Sequence, residues 1–198
     1  MSHVCQFQSG KAHEPFIDDD GEYICVNARF VSTQGGARKF CTRNLTPAQE
    51  NDVLMVMSDL PNGRALARAF LVDDGSLYAV NQRVCIVRSQ YVSPRFIDYL
   101  LDRNQHFLRE DDGVNQTHLS NGTFLRCPVL VPPSVEQDSI SEYLDISERR
   151  MDDLINGATG LIELLQERRT SLISTAVTGK IDVRSWKAPE IEPELKIA

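Results

Sequence analysis

The chain has 198 residues, 41% of them hydrophobic and 25% charged, and a formal net charge of −7. That length supports one ordinary hydrophobic core plus an extended element, or two small domains at most. The acidic total excludes a protein coated in positive charge for indiscriminate phosphate binding.

Charge is unevenly spread. Thirteen Lys and Arg against fifteen Asp and Glu leave residues 1–133 at −2, while eight against thirteen leave the remainder at −5. Eleven of the thirteen basic residues in the front part are Arg, and no acid interrupts the stretch between Glu22 and Glu50, which holds Arg29, Arg38, Lys39 and Arg43. A local basic island of this kind can meet a polyanion, and Arg suits bidentate contacts with phosphate or guanine. The plainer reading is a set of solvated surface arginines. The five cysteines are odd in number, widely spaced and never in a CxxC pair, so neither a disulfide framework nor a zinc site is expected. With no signal-like or membrane-length apolar run, the expected compartment is the reducing cytoplasm.

In chain order, the run from Tyr23 to Val31 is predicted as a strand because it is rich in aromatic and β-branched residues. A Gly-rich loop at 32–36 follows. Asp52 to Met57 is a continuous apolar run expected to form a buried strand, ending in a turn at Ser58–Arg64 where Pro61 and Asn62-Gly63 punctuate the chain. Ala69 to Val80 reads as a hairpin around Asp74-Gly75, and Arg83 to Ser89 as another strand. Ser93-Pro94 opens a predicted helix through Leu108. A polar loop at 111–118 leads to a short predicted strand, Leu125 to Val131, closed by Pro132-Pro133. The front part, residues 1–133, is thus expected to be an α+β (mixed α/β) domain with mostly antiparallel connections and polar loop tips.

From Ser134 to Thr178 the pattern is one long helix, with a capping box formed by Ser134 and Gln137. Apolar residues at Ile140, Leu144, Met151, Leu154, Ala158, Leu161, Leu165 and Leu172 alternate by three and four, lapsing at Ser147 and Arg168. This is a heptad seam, widened by Ile155, Ile162 and Ala176. Some forty residues reach roughly 60 Å, about twice the width of a small domain, so something else is expected to cover the seam. Gly157 and Gly160 mark either a kink or a close backbone approach. Thr178-Gly179 supplies the stop. The helix unit is taken as 134–179, and 180–198 as a partly disordered, Pro- and Glu-rich tail.

Catalytic signatures are missing. The sequence has no GxxxxGK[ST], no GxGxxG after a strand and no HExxH. Val131-Pro132-Pro133-Ser134 lacks the Asn or Asp before the prolines, and the aromatic after them, that an amino-methyltransferase uses. His13, His106 and His118 have no motif-grade neighbours and are expected to serve packing or surface roles. No catalytic residue, cofactor or metal is therefore expected.

The string PPSVEQDSISEYLD followed by LIELLQERRTSLISTAVTGKIDVRSW resembles the end of a specificity (S) subunit from Type I restriction-modification systems. Looser matches precede it in the right order: GEYICVNARFV, DVLMVMSDLPNG, NQRVCIVRS and GVNQTHLS. The resemblance implies a target recognition domain that reads one half of a split DNA sequence and a helix that acts as spacer and docking arm. It also implies partners: modification subunits that methylate adenine, and a restriction subunit that translocates and cuts. Such subunits carry two recognition domains and two helices, whereas this chain has one of each. Either a half subunit pairs with a copy of itself, or the chain is one half of a longer subunit; the final string favours a half-sized or truncated form. Two antiparallel helices would fix the gap between half-sites, and a symmetric pair would demand a palindromic site.

Direct readout needs polar side chains on loops that reach base edges. Arg29, Arg38, Lys39, Arg43, Arg64 and Arg83 are the expected phosphate or guanine contacts, and Asn62, Gln82, Asn115 and Gln116 the candidate base readers. Two competing readings are a coiled-coil adaptor that binds only protein and a self-contained methyltransferase or nuclease, the latter disfavoured by the missing motifs.

Overall fold

The computed structural model describes residues 1–60, 64–111 and 114–187, which fall into two units, Met1–Leu144 and Asp145–Ala198. The first unit opens with β1 (Gln6–Ser9), a 3₁₀ turn at Glu14–Phe16 and β2 (Tyr23–Val26), followed by α1 (Ala28–Ser32) and β3 (Phe40–Cys41). Next come β4 (Val53–Val56), β5 (Ser58–Asp59), β6 (Ala69–Leu71), β7 (Tyr78–Val80) and β8 (Val84–Arg88). Then follow α2 (Pro94–Leu101), α3 (Gln105–Leu108), β9 (Thr117–His118), α4 (Asn121–Arg126) and α5 (Ser134–Val177).

The main sheet has the order β1-β8-β4-β6, antiparallel throughout. Strands alternate side chains between faces, so the register Val53↔Val87, Leu54↔Ile86, Met55↔Cys85 and Val56↔Val84 divides the apolar run in two. Val53, Met55, Cys85 and Val87 face one core with Phe96, Ile97, Leu101, Phe107 and Phe124. Leu54, Val56, Val84 and Ile86 face the other with Val26, Phe30, Val31, Tyr78 and Val80. A strand buried on both sides has no polar face, which is why the sequence of β4 reads as unbroken hydrophobe and that of β8 alternates poorly. A second sheet, β3-β2-β7, pairs β2 with β7 in parallel, and β5 and β9 form a separate two-stranded ribbon.

Four local expectations are corrected. The run from Tyr23 turns helical after Val26, because the Asn27 side chain accepts a hydrogen bond from the Phe30 backbone at 3.0 Å and caps α1. Residues 69–80 are not a hairpin: β6 pairs with β4 in one sheet and β7 with β2 in another. The helix expected through Leu108 breaks at Asp102, whose carboxylate accepts from Ala69 N and Arg68 Nη1, and Arg103 then takes a left-handed φ of 53°. Leu125 lies in α4 rather than a strand, since Ser120 accepts from Thr123 N and starts a helical turn that buries Phe124.

The start of α5 also differs. Gln137, 2% exposed, does not reach back toward Ser134; its Oε1 accepts from Ser93 N at 2.8 Å and its Nε2 donates to the Pro132 carbonyl at 2.8 Å. It thereby ties the first turn of α5 to the N-terminus of α2. Ile140 packs on the core of the first unit. The stop is as expected: Gly179 has φ 72°, and Lys180 N donates to the Thr175 carbonyl in a Schellman arrangement. Residues 188–198 of the expected tail lie outside the described residues.

Two buried polar groups hold the first unit. His13 is fully buried, its Nδ1 donating to the Lys11 carbonyl at 2.7 Å while its Nε2 accepts from Leu45 N at 3.0 Å. Asp52 accepts a bidentate Arg88 guanidinium at 2.6 and 2.7 Å and also Gln49 N at 2.7 Å. Replacing Asp52 by Ala would leave that guanidinium without its acceptor. Because Arg88 keeps some hydration, the expected loss is about 3 kcal/mol, read as a lowered urea midpoint with an unchanged slope.

Candidate nucleic-acid interface

One end of the main sheet gathers three polar segments. At the end of β4, Met57 N donates to the Arg83 carbonyl at 2.8 Å, and Leu119 N donates to the Met57 carbonyl at 2.7 Å. The β5–β9 pairing, Ser58↔His118 and Asp59↔Thr117, extends the same junction. Segments distant in sequence, around residues 58–60, 81–83 and 115–118, are thereby brought to one edge. Asp59 sets the first of them, accepting from Leu60 N at 2.8 Å, Ala65 N at 2.7 Å and Leu66 N at 3.2 Å. Gln116 Nε2 donates to Ser58 Oγ at 3.0 Å, and Arg64 and Asn115 are exposed beside them.

Beside that junction, the C-terminal ends of β2 and β7 form a cleft of about 290 Å³. Arg29, Lys39 and Arg83 line it with Glu14, Asn27 and Asn81. Local structure places them: Asn27 starts α1 and so positions Arg29, while Cys25 N bonds the Lys39 carbonyl and holds that residue across from β2. Among the described residues none of the three cations forms an ion pair. Their charge is open to a ligand.

Asn81 is the keystone of this cleft. It is 7% exposed; its Oδ1 accepts from His13 N at 3.2 Å and from Gln82 N at 2.8 Å, and its Nδ2 donates to Glu14 Oε1 at 2.9 Å. That hydrogen bond, with help from the backbone N–H of Glu14 itself and lesser help from the charge of Arg83, holds the Glu14 carboxyl below its ordinary range despite partial desolvation.

The expected contact residues thus divide. Arg29, Lys39 and Arg83 come together at the cleft, Gln82 follows Asn81 in the adjoining loop without lining it, and Arg64, Asn115 and Gln116 lie by the ribbon. Arg38 lies elsewhere, in a depression with Asp73, Asp74 and Arg95, its Nε donating to the Gly35 carbonyl. Arg43 stacks over the Phe16 ring at 5.0 Å. Asn62 lies outside the described residues. Sequence reasoning missed Glu14 and the structural role of Asn81. The loop holding Asn81 was legible, but a contact between residues 67 apart left no local signal.

In the second unit, the seam residues Met151, Leu154, Leu161, Leu165 and Leu172 are between 49% and 74% exposed, and Ala158 is exposed with them. Gly157 and Gly160 sit inside a continuous helix, and a Cβ at either would meet nothing within 4 Å. The helix has 44 residues, on the order of 65 Å by its rise. Among the described residues there is no cluster of three potential metal ligands, and no helix is long and apolar enough to cross a membrane.

Removing the Asn81 side chain would orphan two backbone donors and release Glu14. Asn81→Ala is expected to destabilise the protein by about 2–4 kcal/mol, measured by denaturant titration, whereas Glu14→Gln, which keeps an acceptor for Asn81 Nδ2, should cost under about 1 kcal/mol.

No protein-family model matches the chain, and no curated relative does. Solved structures do. A chain of the type I R-M system, from work on its complex assembly and conformational transition, superposes with a TM-score of 0.70 at 15% identity, covering 88% of this chain and 43% of that one. The HsdS subunit from Thermoanaerobacter tengcongensis gives 0.57 at 16% identity over 77% of this chain and 37% of its own. The Type-I restriction-modification system S subunit from M. genitalium gives 0.56 at 15%, over 88% and 43%. The chain therefore spans less than half the length of each neighbour. Its fold, a mixed sheet-and-helix domain followed by one long helix, is that of the type I restriction-modification S subunits.

Proposed function

We propose that this chain is a non-catalytic, sequence-specific DNA recognition subunit of a Type I restriction-modification complex. Residues 1–133 act as a target recognition domain for one half of a bipartite site, and residues 134–179 as spacer and docking helix. The observation that carries the reading is the convergence of Arg29, Lys39 and Arg83, none in an ion pair among the described residues, beside the polar ribbon at one end of the sheet. An acidic protein with one such end can hold a duplex there and repel it elsewhere. Similarity of fold to S subunits supports the same assignment.

The exposed seam of the helix supports a partner along it. Burying five or more half-exposed Leu and Met side chains would yield on the order of 1–2 kcal/mol each, which is ample for a helix pair. In this reading the occupant is a second specificity half, most simply another copy of the chain, and the assembled pair docks modification (methyltransferase) subunits and a restriction subunit. Methylation and cleavage are assigned to those partners.

Two measurements test this. With modification subunits present, binding to a duplex that the complex selects should weaken on Lys39→Ala or Arg83→Ala, and the slope of log affinity against log salt should flatten by about 1 for each phosphate that the variant no longer neutralises. Unchanged affinity and slope in both variants would remove the cleft from the interface, and a complex that assembles but binds no duplex would favour the adaptor reading. For the helix, light scattering should give twice the 22.3 kDa chain mass, falling to the single-chain value in a Leu154→Glu, Leu161→Glu double variant.

A further inference from the structure

The cationic cleft contains one group that a phosphate site does not need. Glu14 sits among Arg29, Lys39 and Arg83, and Asn81 fixes one of its oxygens by a 2.9 Å hydrogen bond. The Asn81 carboxamide cannot turn over, because two backbone N–H groups already point at its oxygen. No other described side chain is hydrogen-bonded to the second Glu14 oxygen, and the residue is exposed at the rim. A carboxylate there repels phosphate. It is matched instead to an amino group, and on the major-groove edge of DNA the amino group suited to a carboxylate acceptor is cytosine N4. Adenine N6 carries the N7 lone pair beside it, which would face the same carboxylate.

Resting on the DNA-recognition reading above, we propose that Glu14 is a specificity-determining residue. It accepts a hydrogen bond from the N4 amino group of a cytosine in the major groove, while the three surrounding cations contact flanking phosphates or the paired guanine. Asn81 is the positioning residue that aims the carboxylate.

The test is selection from a library of randomised duplexes by the full chain in the presence of modification subunits, with wild type, Glu14→Gln and Glu14→Ala compared by sequencing. Thermal midpoints of the three proteins separate folding from readout: Glu14→Gln keeps an acceptor for Asn81 Nδ2 and should melt near wild type, whereas Glu14→Ala leaves that buried donor unpaired and should melt lower. Wild type should enrich a motif containing a C·G pair whose preference over other pairs drops about ten-fold in both variants while the remaining positions keep theirs. A motif left unchanged by both substitutions overturns the inference and leaves DNA recognition standing. A uniform gain in affinity for all duplexes also overturns it, by showing that Glu14 only tempers the charge of the cleft. If wild type enriches no motif, the recognition reading fails and the inference fails with it.

Discussion

Met57 has both backbone groups committed, its N–H to the Arg83 carbonyl and its carbonyl to Leu119 N. That junction lies just beyond β4, a strand with every residue buried and a neighbour on each side. Because unpaired backbone groups in a core are costly, β4 and β8 cannot slide without losing the whole ladder and exchanging two apolar faces. The loops hung from Met57 therefore inherit the rigidity of the best-buried part of the molecule. Side chains that must meet base edges within a fraction of an ångström need this kind of support.

The cleft beside it works by a different device. Arg29, Lys39 and Arg83 arrive from a helix, a strand edge and a strand start, and nothing in their own segments orders them relative to one another. Asn81 does so indirectly, linking the 3₁₀ turn at Glu14 to the β7–β8 connection, with fully buried His13 behind it bonded to Lys11 and Leu45. A polar network of this kind specifies one arrangement, since any other leaves a buried donor or acceptor unpaired. The same network holds the Glu14 carboxyl below its ordinary range in the middle of a basic surface, the feature on which the proposed donor-acceptor readout rests.

Much of this is legible in the sequence, and unevenly so. β4, β8 and α5 stand out because a run of buried hydrophobes and a three-four repeat are local signals. The Tyr23 run misleads because a single capping Asn outweighs β-propensity once its side chain closes on Phe30 N. The hairpin expected at 69–80 fails for a non-local reason: β6 and β7 find better partners in β4 and β2 than in each other. At the site, the types of the contact residues are visible, but their grouping is not. Arg38 and Arg43 neighbour Lys39 in sequence yet go to Asp73 and Asp74 and to Phe16, whereas Arg83 joins Lys39 from a distant part of the chain.

The central claim is that the end of the sheet at Met57, with the cleft beside it, is the surface that meets duplex DNA. Hydrogen–deuterium exchange of the full chain, with modification subunits present and with or without a selected duplex, tests it most directly. Protection should appear at Arg29, at Lys39–Cys41, at Gln82-Arg83 and at Thr117–Leu119, with residues 145–177 unchanged by DNA. Protection confined to α5 or to the depression around Arg38 and Asp74, with the Met57 end exchanging as in the free protein, would contradict it.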